Sequence, residues 1–449
     1  MTFQLTDELL ENITSLINLQ NDRELTTLFE EYHFADIAEI IDDLTLDQAT
    51  YLIKLLDSQR TSDILMELEE EVRERILDNL SAKEIAEEVE EMDSDDAADV
   101  ISELPSNRVE NVISQIEDED RAKDIVELLS YEENSAGGLM AKELVRVRET
   151  WTVAGCVRKM RSQAKNVTRV HSVYVVDKHD KLIGRLSLKD LLTSDTATKI
   201  SEIYIPKVDF VNVHTEAEEV ARIMQKYDLE AIPVVDDLNR LVGRVTIDDI
   251  LDFIRDEAEK DYQMAAGLSQ DVEADDSILR HTRARLPWLV LGLLGGLGAA
   301  MIMGSFEDIL ENYTILFFFT PLIAAMAGNV GVQSSAIIVQ GLANDDLKES
   351  LVNRLLKEML LALLNGVILA ILLLGFTYMW KGDFLTALAI SLSLIIVIVV
   401  AGLVGTFVPL FLHKRDIDPA IATGPFITTS NDIFGILIYF YIAKMVLGI

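Results

Sequence analysis

The sequence is poor in several residue types, and each shortage excludes a class of protein. It has one cysteine, Cys156, which allows no intramolecular disulfide and suits a reducing cytosol. Its 39 basic residues are outnumbered by 76 acidic ones, which argues against nucleic-acid binding because phosphates need a positive surface. The start has neither the basic residues nor the apolar run of a signal peptide. A metal-ligating His pair, a nucleophile motif and a phosphate loop are also missing, so we do not expect an enzyme.

The net charge of −37 is unevenly distributed along the chain. Residues 1–280 hold 65 acidic and 30 basic residues, a net charge of −35. Residues 281–449 hold 11 acidic and 9 basic residues, a net charge of −2. This division predicts an acidic soluble part joined to an apolar membrane part, and the strong negative charge favours cations as partners.

Five long apolar segments follow residue 280, and each is long enough to cross a bilayer, which takes about 20 residues. Basic residues before the first, third and fifth segments predict a multi-pass plasma-membrane protein with residues 1–280 in the cytosol and the C-terminus outside. The second segment is too long for one simple helix and contains Pro321, so we predict a broken or pore-lining span. The predicted spans are 286–304, 312–344, 359–380, 384–412 and 419–443.

Asp432 is the only acidic residue inside these predicted spans. A carboxylate near the bilayer centre costs about 3 kcal/mol or more and normally faces a partner, a cavity or an ion path. Two polar segments, 423–432 and 327–335, contain Gly or Pro residues that predict helix breaks, where cation sites are often built. We therefore predict a cation site. The alternatives are a structural role for Asp432 and simple interhelical hydrogen bonds for Asn329 and Gln333.

Residues 174–192 and 233–251 form an internal repeat that aligns without a gap at an offset of 59, so that Arg185 matches Arg244. Each copy predicts a strand, a turn, a strand and a helix. The repeat resembles a tandem pair of CBS domains. In that fold a Ser/Thr-x-x-Asp motif can bind an adenosine nucleotide, so the resemblance implies ATP as a candidate ligand; the alternative is a helix cap without a ligand. The matching residues are Ser187, Asp190, Thr246 and Asp249.

Residues 1–135 are acidic and contain recurring acidic–aliphatic segments such as 35–44 and 83–92. This pattern predicts a stack of short helices. Residues 131–140 form the predicted linker into the first CBS module. Helical spacing from 248 to 282 predicts one long helix between the cytosolic and membrane parts.

Together these features resemble the MgtE family of Mg²⁺ channels, most closely in segments 321–335 and 418–435. The resemblance implies an α-helical transmembrane domain of five spans, preceded by a cytosolic all-α acidic domain and tandem α+β CBS modules. The expected domains are the acidic helical domain 1–135, CBS modules 136–200 and 201–255, the connecting (plug) helix 256–283 and the transmembrane pore domain 284–449.

The resemblance also implies a homodimer in membrane lipid with one pore on its two-fold axis. Mg²⁺ would pass Asp432, Asn329, Thr428 and Gly328. Cytosolic Mg²⁺ would bridge acidic residues of the helical domain, the second CBS module and the plug helix, and so close the pore. These sensor residues are Asp63, Asp95, Asp99, Glu216, Glu218, Asp228, Asp249, Asp252, Glu257 and Asp261. Lys260 is a departure, because the family's connecting helix is commonly richer in Glu at this turn; the resemblance then implies one bridging site fewer or a shifted sensing range.

The sequence thus predicts a Mg²⁺-selective channel for magnesium uptake, gated closed by cytosolic Mg²⁺. Two alternatives stay open. One is a transporter of another divalent cation, such as Co²⁺ or Mn²⁺, regulated by nucleotide at the CBS modules. The other is a membrane-anchored signalling protein that transports nothing. Oxygen ligands suit several hard divalent cations, and the sequence has no cluster of soft ligands that would favour a transition metal.

Overall fold

The structure is a computed structural model that describes residues 3–163, 170, 172–270, 272, 276–343, 350–415, 417–422 and 424–448. The chain divides into two compact units, Met1–Ile254 and Arg255–Ile449. We describe each unit by itself.

The first unit begins with ten short helices that each bury an aliphatic face in a shared core. This arrangement confirms the predicted stack. The helices are α1 (Asp7–Asn18), α2 (Asp22–Phe29), α3 (Phe34–Asp42), α4 (Leu46–Leu55), α5 (Ser58–Glu67), α6 (Glu70–Asp78), α7 (Ala82–Val89), α8 (Ser94–Ser102), α9 (Ser106–Ile113) and α10 (Glu119–Leu128). Arginines connect helices that are not consecutive in the chain: Arg60 of α5 donates to the Tyr32 carbonyl after α2 at 2.9 Å, and Arg108 of α9 donates to the Leu80 carbonyl after α6 at 2.6 Å. These bonds satisfy carbonyls left open at helix ends.

Two small sheets follow, one for each copy of the repeat. The first has strand order β1-β2-β3-β4 and the second β5-β6-β7; in each, the first pair is parallel and the next is antiparallel. The first copy contains β1 (Val145–Arg148), α11 (Val153–Gln163), β2 (Val173–Val176), β3 (Leu182–Leu186), α12 (Leu188–Thr193) and β4 (Ile205–Pro206). The second contains β5 (Val211–Asn212), α13 (Ala217–Tyr227), β6 (Ala231–Val235), β7 (Leu241–Thr246) and α14 (Ile247–Ala266).

The two copies share their turn chemistry as well as their topology. Asp177 accepts hydrogen bonds from the backbone N–H groups two and four residues ahead, and Asp236 does the same. Asp180 and Asn239 both have a left-handed backbone, with φ of 59° and 58°. The predicted repeat is therefore confirmed in detail.

The linker between helices and sheets contacts the second module before the chain enters the first. Ala136 N–H donates to the Thr215 carbonyl at 2.7 Å, and Ala141 pairs with Arg244 in β7. An added Cβ at Gly138 would lie 2.6 Å from two backbone carbonyl oxygens, so this tight path requires glycine. From sequence order alone the segment is assigned to the first module, because its contacts with the second module are visible only in the folded chain.

The predicted long helix from 248 to 282 is wrong, because α14 ends at Ala266. Gly267 follows with a φ of 85°, a left-handed conformation that ends helices and suits glycine. The next helix, α15, begins at Ile278 with Ser277 as its N-cap. Two separate helices, α14 and α15, therefore take the place of the single predicted helix.

Five helices of the second unit are long and apolar enough to cross a membrane, as predicted. They are α15 (Ile278–Ser305), α17 (Ile315–Ala343), α18 (Leu351–Lys381), α19 (Phe384–His413) and α20 (Gly424–Leu447). A short helix, α16 (Glu307–Asn312), precedes α17, and a 3₁₀ turn, Pro419–Ala422, precedes α20. Several spanning helices extend beyond the predicted apolar limits because the charged residues that flank the apolar runs are also helical.

The predicted break in the second span is wrong. Helix α17 runs for 29 residues through Pro321 and through the polar segment 327–335. Its glycines are packing points rather than breaks: an added Cβ at Gly331 would lie 1.8 Å from Asn431 Nδ2. In the fifth span, Pro425 is the second residue of α20, so the predicted break lies at the helix start.

Candidate functional site

The carboxylate of Asp432 lies where α20 crosses α17. An added Cβ at Gly328 would lie 3.6 Å from Asp432 Oδ1 and 3.0 Å from Thr428 Cγ2. Glycine at 328 therefore lets α20 approach the backbone of α17 at this level. The Thr428 hydroxyl donates to the Gly424 carbonyl at 2.9 Å, which leaves its oxygen lone pairs available as acceptors.

The polar residues around Asp432 differ in how far they are exposed. Asp432 is half-buried, and the side chain of Asn329 is exposed, as is Gln333 one turn further along α17. Asn431 is 1% exposed, and neither polar atom of its amide has a hydrogen-bond partner among the described residues. Buried amides are normally satisfied. Three of the four predicted pore residues, Gly328, Thr428 and Asp432, thus meet at one crossing, while Asn329 lies on the outer face.

Glu358 is a second carboxylate within a candidate spanning helix, and it is absent from the predicted spans. It lies in α18 and accepts a hydrogen bond of 2.6 Å from Ser334 Oγ of α17. An added Cβ at Gly402 of α19 would lie 2.9 Å from its Oε1, so three helices meet at this group. The predicted third span began one residue too late to include it. The sequence does carry one signal for Glu358. Ser350 is the N-cap of α18, so the helix begins before the apolar run and includes Glu358.

The end of α14 packs against the start of α20. An added Cβ at Gly424 would lie 2.1 Å from the Ala265 carbonyl oxygen, and one at Gly267 would lie 2.4 Å from Pro425 Cγ. The connecting helix therefore has direct contact with the helix that carries Asp432.

In the first unit, acidic residues of α8 meet the start of α14. Asp95 is 7% exposed, and burial, followed by repulsion from Asp249, raises its pKa well above the usual range. Burial and the same Asp249 charge raise the pKa of Asp96, and burial raises the pKa of Asp249 itself. These carboxylates repel one another in a poorly hydrated place, which costs free energy.

Three further carboxylates belong to this group. Asp99 keeps an exposed side chain, yet desolvation by its surroundings and the charge of Glu133 raise its pKa to about 7. Glu143 accepts hydrogen bonds from Ser94 N–H at 3.2 Å and Ser94 Oγ at 2.7 Å, and Asp93 is the N-cap of α8. The acidic cluster is defined here as Asp93, Asp95, Asp96, Asp99, Glu143 and Asp249.

The other predicted sensor residues have different surroundings. Asp63 lies on α5, where burial raises its pKa and the nearby His33 lowers it. Glu257 and Asp261 are half-buried on α14 in the second unit. Four more are exposed on α13, its caps or α14: Glu216, Glu218, Asp228 and Asp252. The structure thus brings together Asp95, Asp99 and Asp249, and adds Asp93, Asp96 and Glu143.

The acidic cluster suits a hydrated divalent cation. Over the described residues, no three Asp, Glu, His or Cys side chains converge closely enough to ligate a metal ion directly. Mg²⁺ prefers carboxylate oxygens and usually keeps several of its waters. The cluster residues therefore fit Mg²⁺ held through water, and the ion would offset the repulsion between their carboxylates.

The two predicted nucleotide motifs differ. Ser187 lines a cleft of about 330 Å³ in the first module, together with Arg185 and Lys189. In the second module, the Thr246 N–H donates to Asp249 Oδ2 at 3.0 Å and its hydroxyl also donates there, so this pair forms a helix cap. The first module is thus the better candidate for a nucleotide.

Three family models match the chain: the MgtE intracellular N domain over residues 32–134, the CBS domain over 136–195 and 200–256, and the MgtE divalent cation transporter over 320–442. The magnesium transporter MgtE of Thermus thermophilus is 40% identical over 323 residues, 71% of this chain and 72% of that protein. Its Bacillus subtilis counterpart is 36% identical over 317 residues, 70% of each. The chain belongs to the MgtE family of magnesium transporters. MgtE proteins are multi-pass membrane transporters rather than enzymes, and the predicted family and fold class are confirmed.

Two solved structures of magnesium-transport proteins each match more than half of the chain. The soluble part of a magnesium transporter is 30% identical with a TM-score of 0.51, covering 56% of this chain and 99% of that structure. The cytosolic domain of the Mg²⁺ channel MgtE in complex with ATP is 34% identical with a TM-score of 0.51, covering 54% and 99%.

Proposed function

We propose that this MgtE protein is a Mg²⁺-selective channel for magnesium uptake that cytosolic Mg²⁺ closes. The observation that carries the proposal is the Asp432 carboxylate, which lies inside a spanning helix and against the glycine backbone of α17. An ionised group in such a position normally serves an ion path.

The proposed pore lies on the two-fold axis of a homodimer in the lipid bilayer. Two Asp432 carboxylates offset the charge of one Mg²⁺, and backbone carbonyls and the exposed Asn329 accept hydrogen bonds from its waters. A monovalent cation gains about half of that attraction. Moving two charges through 100 mV provides about 4.6 kcal/mol, so inward flow needs no ATP hydrolysis. The proposed orientation places the C-terminus outside the plasma membrane.

We attribute closure of the proposed pore to Mg²⁺ binding at the acidic cluster. Its carboxylates repel one another when α8 meets the second CBS module, and Mg²⁺ bound there favours the closed contact by mass action. Because the end of α14 contacts the start of α20, a change at the CBS module has a path to Asp432. Participation of Asp63, Glu216, Glu218, Asp228, Asp252, Glu257 and Asp261 stays a prediction.

Ion flux into proteoliposomes tests permeation and selectivity. Wild type should admit Mg²⁺ and exclude Na⁺, and Asp432→Asn should reduce Mg²⁺ flux by at least tenfold because both carboxylate charges of the dimer are lost. Asp308→Asn is a matched control, since Asp308 is an exposed carboxylate on α16 outside the spanning helices. Unchanged Mg²⁺ flux in Asp432→Asn would contradict the proposal and would favour a protein that signals without transport.

The same flux measurement separates Mg²⁺ from other divalent cations. The family model describes divalent cation transporters in general. We expect Co²⁺ and Mn²⁺ to compete weakly, because a site that holds an ion through its waters favours the ion that retains them most firmly. Co²⁺ or Mn²⁺ flux above Mg²⁺ flux would support the alternative transporter.

ATP is the second ligand that we propose, at the first CBS module. The cleft of Ser187, Arg185 and Lys189 offers a hydroxyl and two cations to a ribose and phosphates, and Asp190 follows on α12. Calorimetric titration should show one ATP per chain, lost in Arg185→Met. Retained binding in that variant, or loss on Thr246→Val, would assign the nucleotide elsewhere.

A further inference from the structure

Arg244 is a buried cation in acidic surroundings. It lies in β7, is 4% exposed, and its Nη2 is 4.0 Å from Asp93 Oδ2. Its backbone exchanges hydrogen bonds of 2.8 and 2.9 Å with Ala141, so the linker fixes its position. A guanidinium keeps its charge at physiological pH. The side chain is therefore a permanent positive charge where the helical domain meets the second CBS module.

The internal repeat shows that this burial belongs to the second module alone. Arg185 occupies the equivalent position in β3, yet it is exposed and lines an open cleft. The difference arises from the segments that cover Arg244. Ala141 of the linker pairs with Arg244, and Asp93 at the start of α8 lies beside the guanidinium. The arginine and Asp249 belong to the module, whereas Asp93 comes from the helical domain.

The local charge balance stays negative despite this arginine. Burial raises the pKa of Asp249, and the charge of Arg244 opposes that rise. A second cation, Arg121 Nη1, lies 3.8 Å from Glu143 Oε1. The charge of a third cation, Arg73, lowers the pKa of Asp99. These three cations face the six carboxylates of the acidic cluster, so they offset part of its repulsion and leave the rest for a bound ion.

We propose that Arg244 is a resident counterion that holds the helical domain against the second CBS module when cytosolic Mg²⁺ is low. The inference rests on the proposed Mg²⁺ sensing by the acidic cluster. With Arg244 present, the domain contact persists in part without the ion, and Mg²⁺ completes it. Without Arg244, the ion-free contact is weaker and depends more steeply on Mg²⁺.

Hydrogen–deuterium exchange of the full-length protein in nanodiscs tests the role of Arg244. The exchange is measured at one pH, once in EDTA and once in saturating Mg²⁺. In EDTA, Arg244→Met should speed exchange in α8 and β7 by about fivefold, a modest coupling between contacting sites. In saturating Mg²⁺ it should match wild type. Arg244→Lys retains the charge and should stay close to wild type. The matched control is Arg240→Met, since Arg240 pairs with Asp236 at 2.6 Å outside the acidic cluster.

The outcomes separate the two proposals. If wild type responds to Mg²⁺ but Arg244→Met exchanges like wild type in EDTA, the resident counterion is overturned and Mg²⁺ sensing stands. If wild type itself ignores Mg²⁺, the proposed sensing is overturned and the counterion with it. If Arg244→Met speeds exchange in α1 to α4 as well, in both conditions, its role is general stability and the inference is wrong.

Discussion

The two units of this protein hold carboxylates in opposite ways. In the membrane unit, Asp432 is a single carboxylate set beside Gly328, with small residues that let two helices approach it. In the cytosolic unit, six carboxylates lie close together, and burial and repulsion raise the pKa of four of them, Asp95, Asp96, Asp99 and Asp249. In the proposed mechanism, the isolated carboxylate gives an ion a place to pass, whereas the crowded ones make a domain contact depend on ions.

This difference teaches that net charge alone does not describe function. The −35 of residues 1–280 matters mainly where α8 meets β7 and α14, because most other acids are exposed and solvated. The single charge at residue 432 matters because an ionised group inside a candidate spanning helix normally serves an ion path, a cavity or a partner.

The largest effect is expected from Gly405→Ala, which would break the helix packing behind the Asp432 site. An added Cβ at Gly405 would lie 2.3 Å from the Gly331 carbonyl oxygen, so α17 and α19 must separate. Overpacking of this kind costs about 1–3 kcal/mol. We expect a lower unfolding temperature in detergent and loss of Mg²⁺ flux.

Gly375→Ala on α18 is the control for that packing effect, because an added Cβ there meets nothing within 4 Å. It should leave the unfolding temperature and the flux unchanged. Equal behaviour of the two variants would show that the close approach of α17 and α19 does not govern the site.

A smaller effect is expected from pH on the acidic cluster. Because the pKa of Asp99 is raised to about 7, it binds a proton as pH falls below 7, and Asp95, Asp96 and Asp249 shift in the same direction. Protons then compete with Mg²⁺, so Mg²⁺ affinity by calorimetry should be about tenfold weaker at pH 6 than at pH 8. Asp99→Asn should flatten this dependence. A pH-independent affinity would mean that Mg²⁺ binds to other, ordinary carboxylates.

The smallest effect is expected from the second intramembrane carboxylate. Glu358→Ala removes the acceptor of the Ser334 hydroxyl, whereas Glu358→Gln retains one. A double-mutant cycle with Ser334→Ala should give a coupling of about 0.6 kcal/mol in unfolding free energy, typical of hydrogen bonds between membrane helices. Zero coupling, or loss of ion selectivity in Glu358→Gln, would mean that Glu358 acts on the ion rather than on packing.

Much of this architecture follows from the sequence, and the exceptions have physical reasons. The spans, the helical stack and the repeat can be predicted because hydrophobic periodicity and turn residues are local features of the sequence. The break expected in α17 is absent because its glycines serve contacts with Asn431 and α19, which only the packed structure reveals. The linker's detour over the second module and the burial of Arg244 depend on long-range contacts, so no local pattern encodes them.

The candidate sites follow the same division. Asp432 is conspicuous from sequence because a charge in an apolar run is a local anomaly. Asp96 and Glu143 are ordinary acids in an acidic chain, and only their convergence with Asp249 distinguishes them. Glu358 was missed because it lies at the edge of an apolar run, where a charge is expected.

The most direct test of the central claim is patch recording with the cytosolic Mg²⁺ concentration varied, on wild type, Asp432→Ala and the double variant Asp95→Asn/Asp249→Asn. We predict that wild type conducts Mg²⁺ at low cytosolic Mg²⁺ and closes at high, that Asp432→Ala carries no Mg²⁺ current at either, and that the double variant conducts at both. A Mg²⁺ current through Asp432→Ala, or unchanged closure of the double variant, would contradict the account.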